Sequence, residues 1–570
     1  MKLNELEITR ARASRTAIER LYIEMRHIFN KGSYRDLGDR GEVLTEALLT
    51  LSPEIYGSMS DQEKVELDGL VYIVERLPKG IEECRFVKLV SEEGYRDAGF
   101  PIIVPAKRRR NCYRIDSDHI YIEVTRGRSE IYDILTHLTF MYIEAEKIYR
   151  NVEDDEGNLS IAWKKLGDIV EGRFQINGAN REQAFSFLSI ILGRTLEETR
   201  RAYNRLADEP ESNNGIFRVV YGLGKIAMDR RKSEKDHYRE VSFTPTLRAR
   251  IGHHIYGEKW AEAIKDFLFK KGGFDRPVHI ISSNLHSVKN CLYGYAALPE
   301  LSRGRTLPEL ALELGNQQKK KLREKVHVFA QKHGMFELED PSGTNITVQI
   351  FDTAPLCKLE LHPDLAVDRD YLKEKQPIII NMDYAFGEQA YETLDELLKS
   401  YEDDGKECPM LVESISIMGK AGVLKGGKGD IMLPTAHVFE GTADNYPLKN
   451  DFHPSDFEGY VDTVCYGPMI TVLGTSLQNR DVLAYFRDST WKAIGLEMEG
   501  AHYQKAIQAQ AAIRGNIPNT ITLRYAYYAS DNPLVSGSTL ASGSLGRVGV
   551  KPTYLITQKI LEKVFGERMT

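Results

Sequence analysis

The sequence predicts an α/β protein in three parts: a mainly helical amino-terminal region over residues 1–231, a smaller α/β segment over 232–374, and a carboxyl-terminal α/β domain over 375–570. Three observations predict it. From Glu5 to about Arg150 apolar residues recur at helical spacing, as in Ile18, Leu21, Tyr22, Met25 and Ile28. From Pro277 strand-like runs enter, beginning with Val278-His279-Ile280-Ile281-Ser282. After Glu374 strand and helix alternate regularly, the pattern of a mostly parallel sheet covered by helices.

At 570 residues the chain exceeds one ordinary core, and 42% hydrophobic with 28% charged residues excludes disorder. A net charge of −7 gives no global attraction to nucleic acid or to an anionic membrane, so neither is expected as a partner. The six cysteines show no CxxC or Cys/His spacing, which argues against a disulfide framework or a structural zinc site; no metal and no cofactor are expected. Met1 to Glu7 lacks a signal-peptide pattern and no run of eighteen apolar residues occurs, so a cytoplasmic location is expected.

In chain order, Tyr121-Ile122-Glu123-Val124 is a short strand and Lys107-Arg108-Arg109-Arg110 reads as a solvated loop, with a phosphate-binding or subunit-contact role as the alternative. Thr195 followed three residues later by Glu198 is a capping box, and Asp208 to Gly215 is a breaker-rich connector. Thr244-Pro245 starts one long helix ending at Gly272-Gly273, with His253 and His254 on different faces of it. Ser283 to Ser287 follows a strand and opens a helix, a place for an anion or simply a capped turn. Lys319-Lys320-Lys321 reads as a solvated helix face.

In the last part, Ile378 to Asp383 is a strand, Ala385 to Gln389 a turn and Ala390 to Tyr401 a helix. Further strands are predicted at Leu411–Met418, Asp430–His437, Met469–Gly474, Ala493–Glu497 and Thr520–Tyr528, with Pro552 opening a terminal helix. Ligands of such sheets bind at the carboxyl ends of the strands. Those ends carry Gly387, whose following helix can receive an anion, and Gly419-Lys420-Ala421-Gly422, which allows close backbone approach and adds a cation. Thr475 and Arg480 offer a hydroxyl and a planar fork suited to phosphate, and Glu499 and Asp531 supply carboxylates.

These residues carry a resemblance. Gly419-Lys420-Ala421-Gly422-Val423-Leu424 followed by Gly429-Asp430 resembles the glycine turn and GD strand of the nucleoside phosphorylase and nucleosidase superfamily. Glu497-Met498-Glu499-Gly500 resembles its ribose-binding EME motif and Ser530-Asp531 its SD motif. The run Ser530 to Leu534, with Thr475 to Arg480, is most similar to AMP nucleosidases. The likeness covers roughly Pro377 to Gly566. It implies a three-layer α/β/α domain with a mixed central sheet, hydrolysis of the N-glycosidic bond of a purine nucleotide or nucleoside, and an even-numbered homo-oligomer such as a hexamer.

By that resemblance Asp531 protonates the departing purine beside Ser530, Glu499 holds the ribose hydroxyls and Met498 packs on the sugar. Beside these, Phe386 or Tyr384 is a candidate to stack on the base or simply packs in the core, and Glu388 is a candidate base for activating water or a solvated glutamate at a helix start. The chain departs from the family's pattern in three places: Ile417 stands where phosphorylases carry an arginine, Lys420 follows the glycine, and Tyr527 stands four residues before Asp531 in place of an arginine. The first departure favours hydrolysis. A phosphate-dependent phosphorylase and a non-catalytic nucleotide-binding regulatory or scaffold protein remain the alternatives. The segment Val535 to Gly549 reads as a lid or as a plain flexible loop.

Overall fold

The computed structural model describes residues 5–108, 110–153, 156–178, 180–206, 215–232, 237–340, 342–459, 463–535 and 546–566. The predicted connector at Asp208 to Gly215, apart from Gly215, and most of the predicted lid lie outside them. The chain folds into two units, one formed by Glu5–His253 with Gly474–Val482 and the other by His254–Leu473 with Leu483–Thr570. No described helix is long and apolar enough to cross a membrane.

The first unit is mainly helical, as its periodicity predicts, and also holds a six-stranded sheet in the order 33–35, 240–243, 86–90, 119–123, 112–114, 102–103. Its central helix Gly127–Val152 is buried on nearly every side. The predicted capping box at Thr195 and Glu198 forms at the start of Leu196–Arg205. The predicted solvated loop at Lys107–Arg110 is a correction: Arg110 is buried against Glu130 at 3.2 Å, and Arg108 pairs with Asp133 at 2.9 Å. Charges spaced along a loop do not reveal the carboxylates that a helix elsewhere in the chain will present to them.

The predicted long helix is two helices, Pro245–Gly252 and Ile255–Lys270, because His254 adopts a left-handed backbone with φ 55°. Gly252 and two histidines in succession are weak helix formers, so the period continues across a break that propensity permits.

The second unit is built on a ten-stranded sheet: β1 Val278–Ser282, β2 Met335–Leu338, β3 Val348–Asp352, β4 Ile378–Met382, β5 Val412–Val423, β6 Ile431–Phe439, β7 Asn445–Pro447, β8 Val464–Thr471, β9 Gly495–Glu497 and β10 Thr522–Asp531. The expected middle segment is therefore not separate, since β1 lies between β4 and β5 in this one sheet. Sheet partners are non-local, and sequence spacing does not show them.

The sheet is mixed. Strands β1, β4, β5 and β10 run parallel, β6, β8 and β9 run parallel to one another, and β9 and β6 meet β5 and β10 antiparallel. Because β10 pairs with both β5 and β6, the strands β6, β8, β9, β5 and β10 close into a ring. Helices cover both faces. One core gathers Trp260, Leu268, Leu394 and Ile507 over β1, β4 and β5; the other gathers Leu292, Leu310, Val326 and Ile560. The fold is thus α/β with three layers and a mixed central sheet.

Candidate active site

Strand β5 changes neighbours partway along one edge. Its first half, Val412 to Ile417, pairs with β1 in parallel, while Gly422 and Val423 pair with β9 antiparallel. Between them, Met418 to Ala421 have no ladder partner on that edge among the described residues. Its other edge stays paired with β10 as far as Gly422 opposite Asp531, across a bulge. An edge that changes partners in this way is a switch point, and crevices at such points are where α/β sheets take ligands.

The acidic motif enters at this point. Glu497 ends β9 and is 5% exposed; one of its oxygens accepts from the Thr471 hydroxyl at 2.5 Å, and the other accepts the N–H groups of Glu499, at 2.6 Å, and of Gly500. Glu499 precedes the helix Gly500–Gln508 and accepts the Gly387 N–H at 3.0 Å. Gly387 has φ 55°, a left-handed turn that glycine adopts without strain, and this aims its N–H across to the glutamate. Burial lifts Glu497 to about 7; burial and then the neighbouring Glu497 lift Glu499 to about 8, against the opposing pull of the Gly387 N–H and Lys420.

Gly500 is required by proximity. A Cβ there would lie 2.4 Å from His437 Nε2 and 2.8 Å from Glu497 Oε1, so the imidazole packs directly beneath the glutamate. His437 is fully buried, and burial lowers its pKa to about 3, so the ring is neutral.

Asp531 ends β10 and is 3% exposed, with the Ser530 hydroxyl 2.6 Å from its Oδ1 and 3.1 Å from the Ala421 carbonyl oxygen. The register sets Asp531 and Leu496 on opposite sides of Gly422, where a Cβ would lie 2.8 Å from Leu496. Gly419 faces Tyr384 and Tyr527, 3.5 and 4.0 Å from the position of its absent Cβ. Lys420 is exposed and close enough to Glu499 to favour its ionised form.

The other predicted residues divide. Phe386 is half-buried, its N–H bonded to Gln389 Oε1 at 3.1 Å, and Met498 is half-buried between the two glutamates in sequence. Glu388 starts the helix Gln389–Leu397 and acts electrostatically on His502. Thr475 and Arg480 belong to Gly474–Val482 and hence to the helical unit, where the Arg480 N–H donates to Glu54 Oε1 at 2.7 Å. They are not part of the sheet that carries the other candidates. Sequence reasoning gave no role of their own to Glu497, Thr471, His437 and Tyr527, which the structure places beside the candidates. Glu497 was legible as a second acid at a strand end, whereas the other three look like core residues.

A family model described as "Family of unknown function (DUF6909)" matches residues 42–301 and 312–566. No curated protein matches the chain. Among solved structures, the 5′-methylthioadenosine/S-adenosyl homocysteine nucleosidase of Campylobacter jejuni is similar at 11% identity and TM-score 0.30, covering 51% of this chain and 98% of that one. The native futalosine hydrolase of Helicobacter pylori is similar at 11% identity and TM-score 0.29, covering 50% and 97%. A uridine phosphorylase of Schistosoma mansoni in complex with thymidine is similar at 13% identity and TM-score 0.31, covering 54% and 92%.

Proposed function

The chain belongs to the family of unknown function DUF6909, and from its own site we propose that it hydrolyses the N-glycosidic bond of a purine nucleoside or nucleotide. The observation that carries this reading is the register at Gly422 of β5, which has Leu496, three residues before the Gly387-bonded Glu499, on one side and Asp531, bonded by Ser530, on the other. Breaking an N-glycosidic bond develops positive charge on the sugar and negative charge on the base, and a carboxyl group at each can stabilise the one and protonate the other.

In this reading Glu499 takes the ribose hydroxyls and lies by the developing cation, while Asp531 gives its proton to the purine ring nitrogen. Met498 packs on the sugar, and Phe386 or Tyr384 stacks on the base. Glu388 orients the attacking water. Gly419, Lys420 and Gly422 line the crevice, and the exposed Lys420 offers a cation to a 5′-phosphate. Thr475 and Arg480 stay in the proposal only as residues of the helical unit. The protein works as a cytoplasmic, even-numbered homo-oligomer.

The test is release of free base from AMP, adenosine, inosine and methylthioadenosine, with and without phosphate. Hydrolysis predicts release without phosphate, whereas release only in its presence makes the protein a phosphorylase. Asp531→Asn is expected to lower turnover by about 10²–10⁴-fold while retaining binding; undiminished turnover removes it as the acid. Tight calorimetric binding of a nucleotide without base release identifies a regulatory binder.

A further inference from the structure

Three buried tyrosines lie within electrostatic reach of Glu497 or Glu499: Tyr503, Tyr525 and Tyr527. Two of them are satisfied. The Tyr503 hydroxyl lies 2.9 Å from Ser282 Oγ, and Tyr525 donates to Gln504 Oε1 at 3.1 Å. The Tyr527 hydroxyl is buried and has no hydrogen-bond partner among the described residues.

Folding gains nothing from that oxygen. Phenylalanine would fill nearly the same volume without leaving a buried hydroxyl unpaired. The position of Tyr527 suggests what the oxygen serves. In the ladder it stands opposite Gly419, in the stretch where β5 has lost β1 and not yet gained β9. Its ring edge comes to 4.0 Å from the place of a Gly419 Cβ; Tyr384 comes to 3.5 Å from the same place and is 41% exposed. One tyrosine therefore faces solvent over this point, and the other is enclosed beside it.

We propose that the Tyr527 hydroxyl is a specificity-determining contact for a neutral sugar hydroxyl of the ligand in the crevice at Gly419 to Ala421. This rests on the nucleoside reading and deepens it, by naming the residue that distinguishes a ribosyl from a deoxyribosyl group. The group that meets Tyr527 is neutral because the hydroxyl is enclosed, and a phosphate or carboxylate brought against it would lose its hydration. A hydroxyl suits both neighbours, since it can give its proton to a glutamate oxygen and accept the proton of the phenol. Entry of the sugar requires the Tyr384 ring to move aside.

The experiment compares the wild-type protein with Tyr527→Phe on adenosine and inosine and on their 2′-deoxy and 3′-deoxy counterparts, following free base, with thermal unfolding of both proteins in the absence of ligand. The wild type is expected to prefer the ribosyl substrates. The variant is expected to lose roughly tenfold of that preference against one deoxy series. Its unfolding midpoint should be no lower than that of the wild type. Equal ribosyl-to-deoxyribosyl ratios in the two proteins overturn this assignment and leave the nucleoside reading standing. A lowered midpoint overturns it too, by showing that the hydroxyl serves the fold. A wild type that neither cleaves nor binds any of the six compounds, AMP or methylthioadenosine overturns the reading and this assignment together.

Discussion

Glu497 and Glu499 both resist ionisation, and that resistance has a measurable sign. Burial raises their pKa values from an ordinary 4.5 to about 7 and about 8. The folded chain therefore keeps protons that the unfolded chain has released, and its stability falls as pH rises from about 4.5 to about 8. For Glu499 the neighbouring Glu497 adds to the effect of burial. Glu499→Gln keeps an acceptor for the Gly387 N–H and removes the charge. Thermal unfolding is expected to show a higher midpoint than wild type above about pH 8 and the same midpoint near about pH 4.5; parallel curves would refute the assignment. Glu499 and Asp531 were legible because acids at the ends of apolar strands have no reason to be there for packing. Tyr527 and His437 were not, since an aromatic ring in a strand has a packing explanation until its polar atoms are seen without partners.

At the scale of elements, local chemistry was readable and non-local pairing was not. Thr195 caps its helix by accepting from the Glu198 N–H at 3.2 Å, and Glu198 returns a bond to the Thr195 N–H at 2.9 Å, as the four-residue pattern predicts. Thr195→Ala is expected to destabilise the helical unit by about 1 kcal/mol, measurable by denaturant titration. The strand at Thr522–Asp531 runs three residues beyond its predicted end at Tyr528, because the ladder with β5 carries it across the bulge to Asp531. The break at His254 escaped notice for the opposite reason: helical periodicity continues through it, while the backbone takes a left-handed step that only coordinates reveal.

For the whole molecule, the three-part expectation became two units because two long-range facts override sequence order. The strand at Val278–Ser282 inserts into the carboxyl-terminal sheet, and Gly474–Val482 leaves that unit for the helical one. Within the helical unit, the Asn479 side chain donates to the Leu51 carbonyl at 2.8 Å, and the Ser476 hydroxyl lies 3.3 Å from Asp133. A fragment of residues 5–253 lacks those contacts. It is expected to unfold at a lower temperature than the fragment supplemented with a peptide of residues 474–482, as read by circular dichroism. A midpoint indifferent to the peptide would show that the segment adds nothing to the unit.

That borrowed segment also sets a timetable for synthesis. The helical unit has most of its chain once residue 253 is made, yet its last piece arrives only with residue 482. At about 5–20 residues per second the ribosome takes roughly 10–45 s to cover the interval. For that time Leu51 and Asp133 emerge ahead of the side chains that will meet them, and the unit is exposed to chaperones and proteases in an incomplete form.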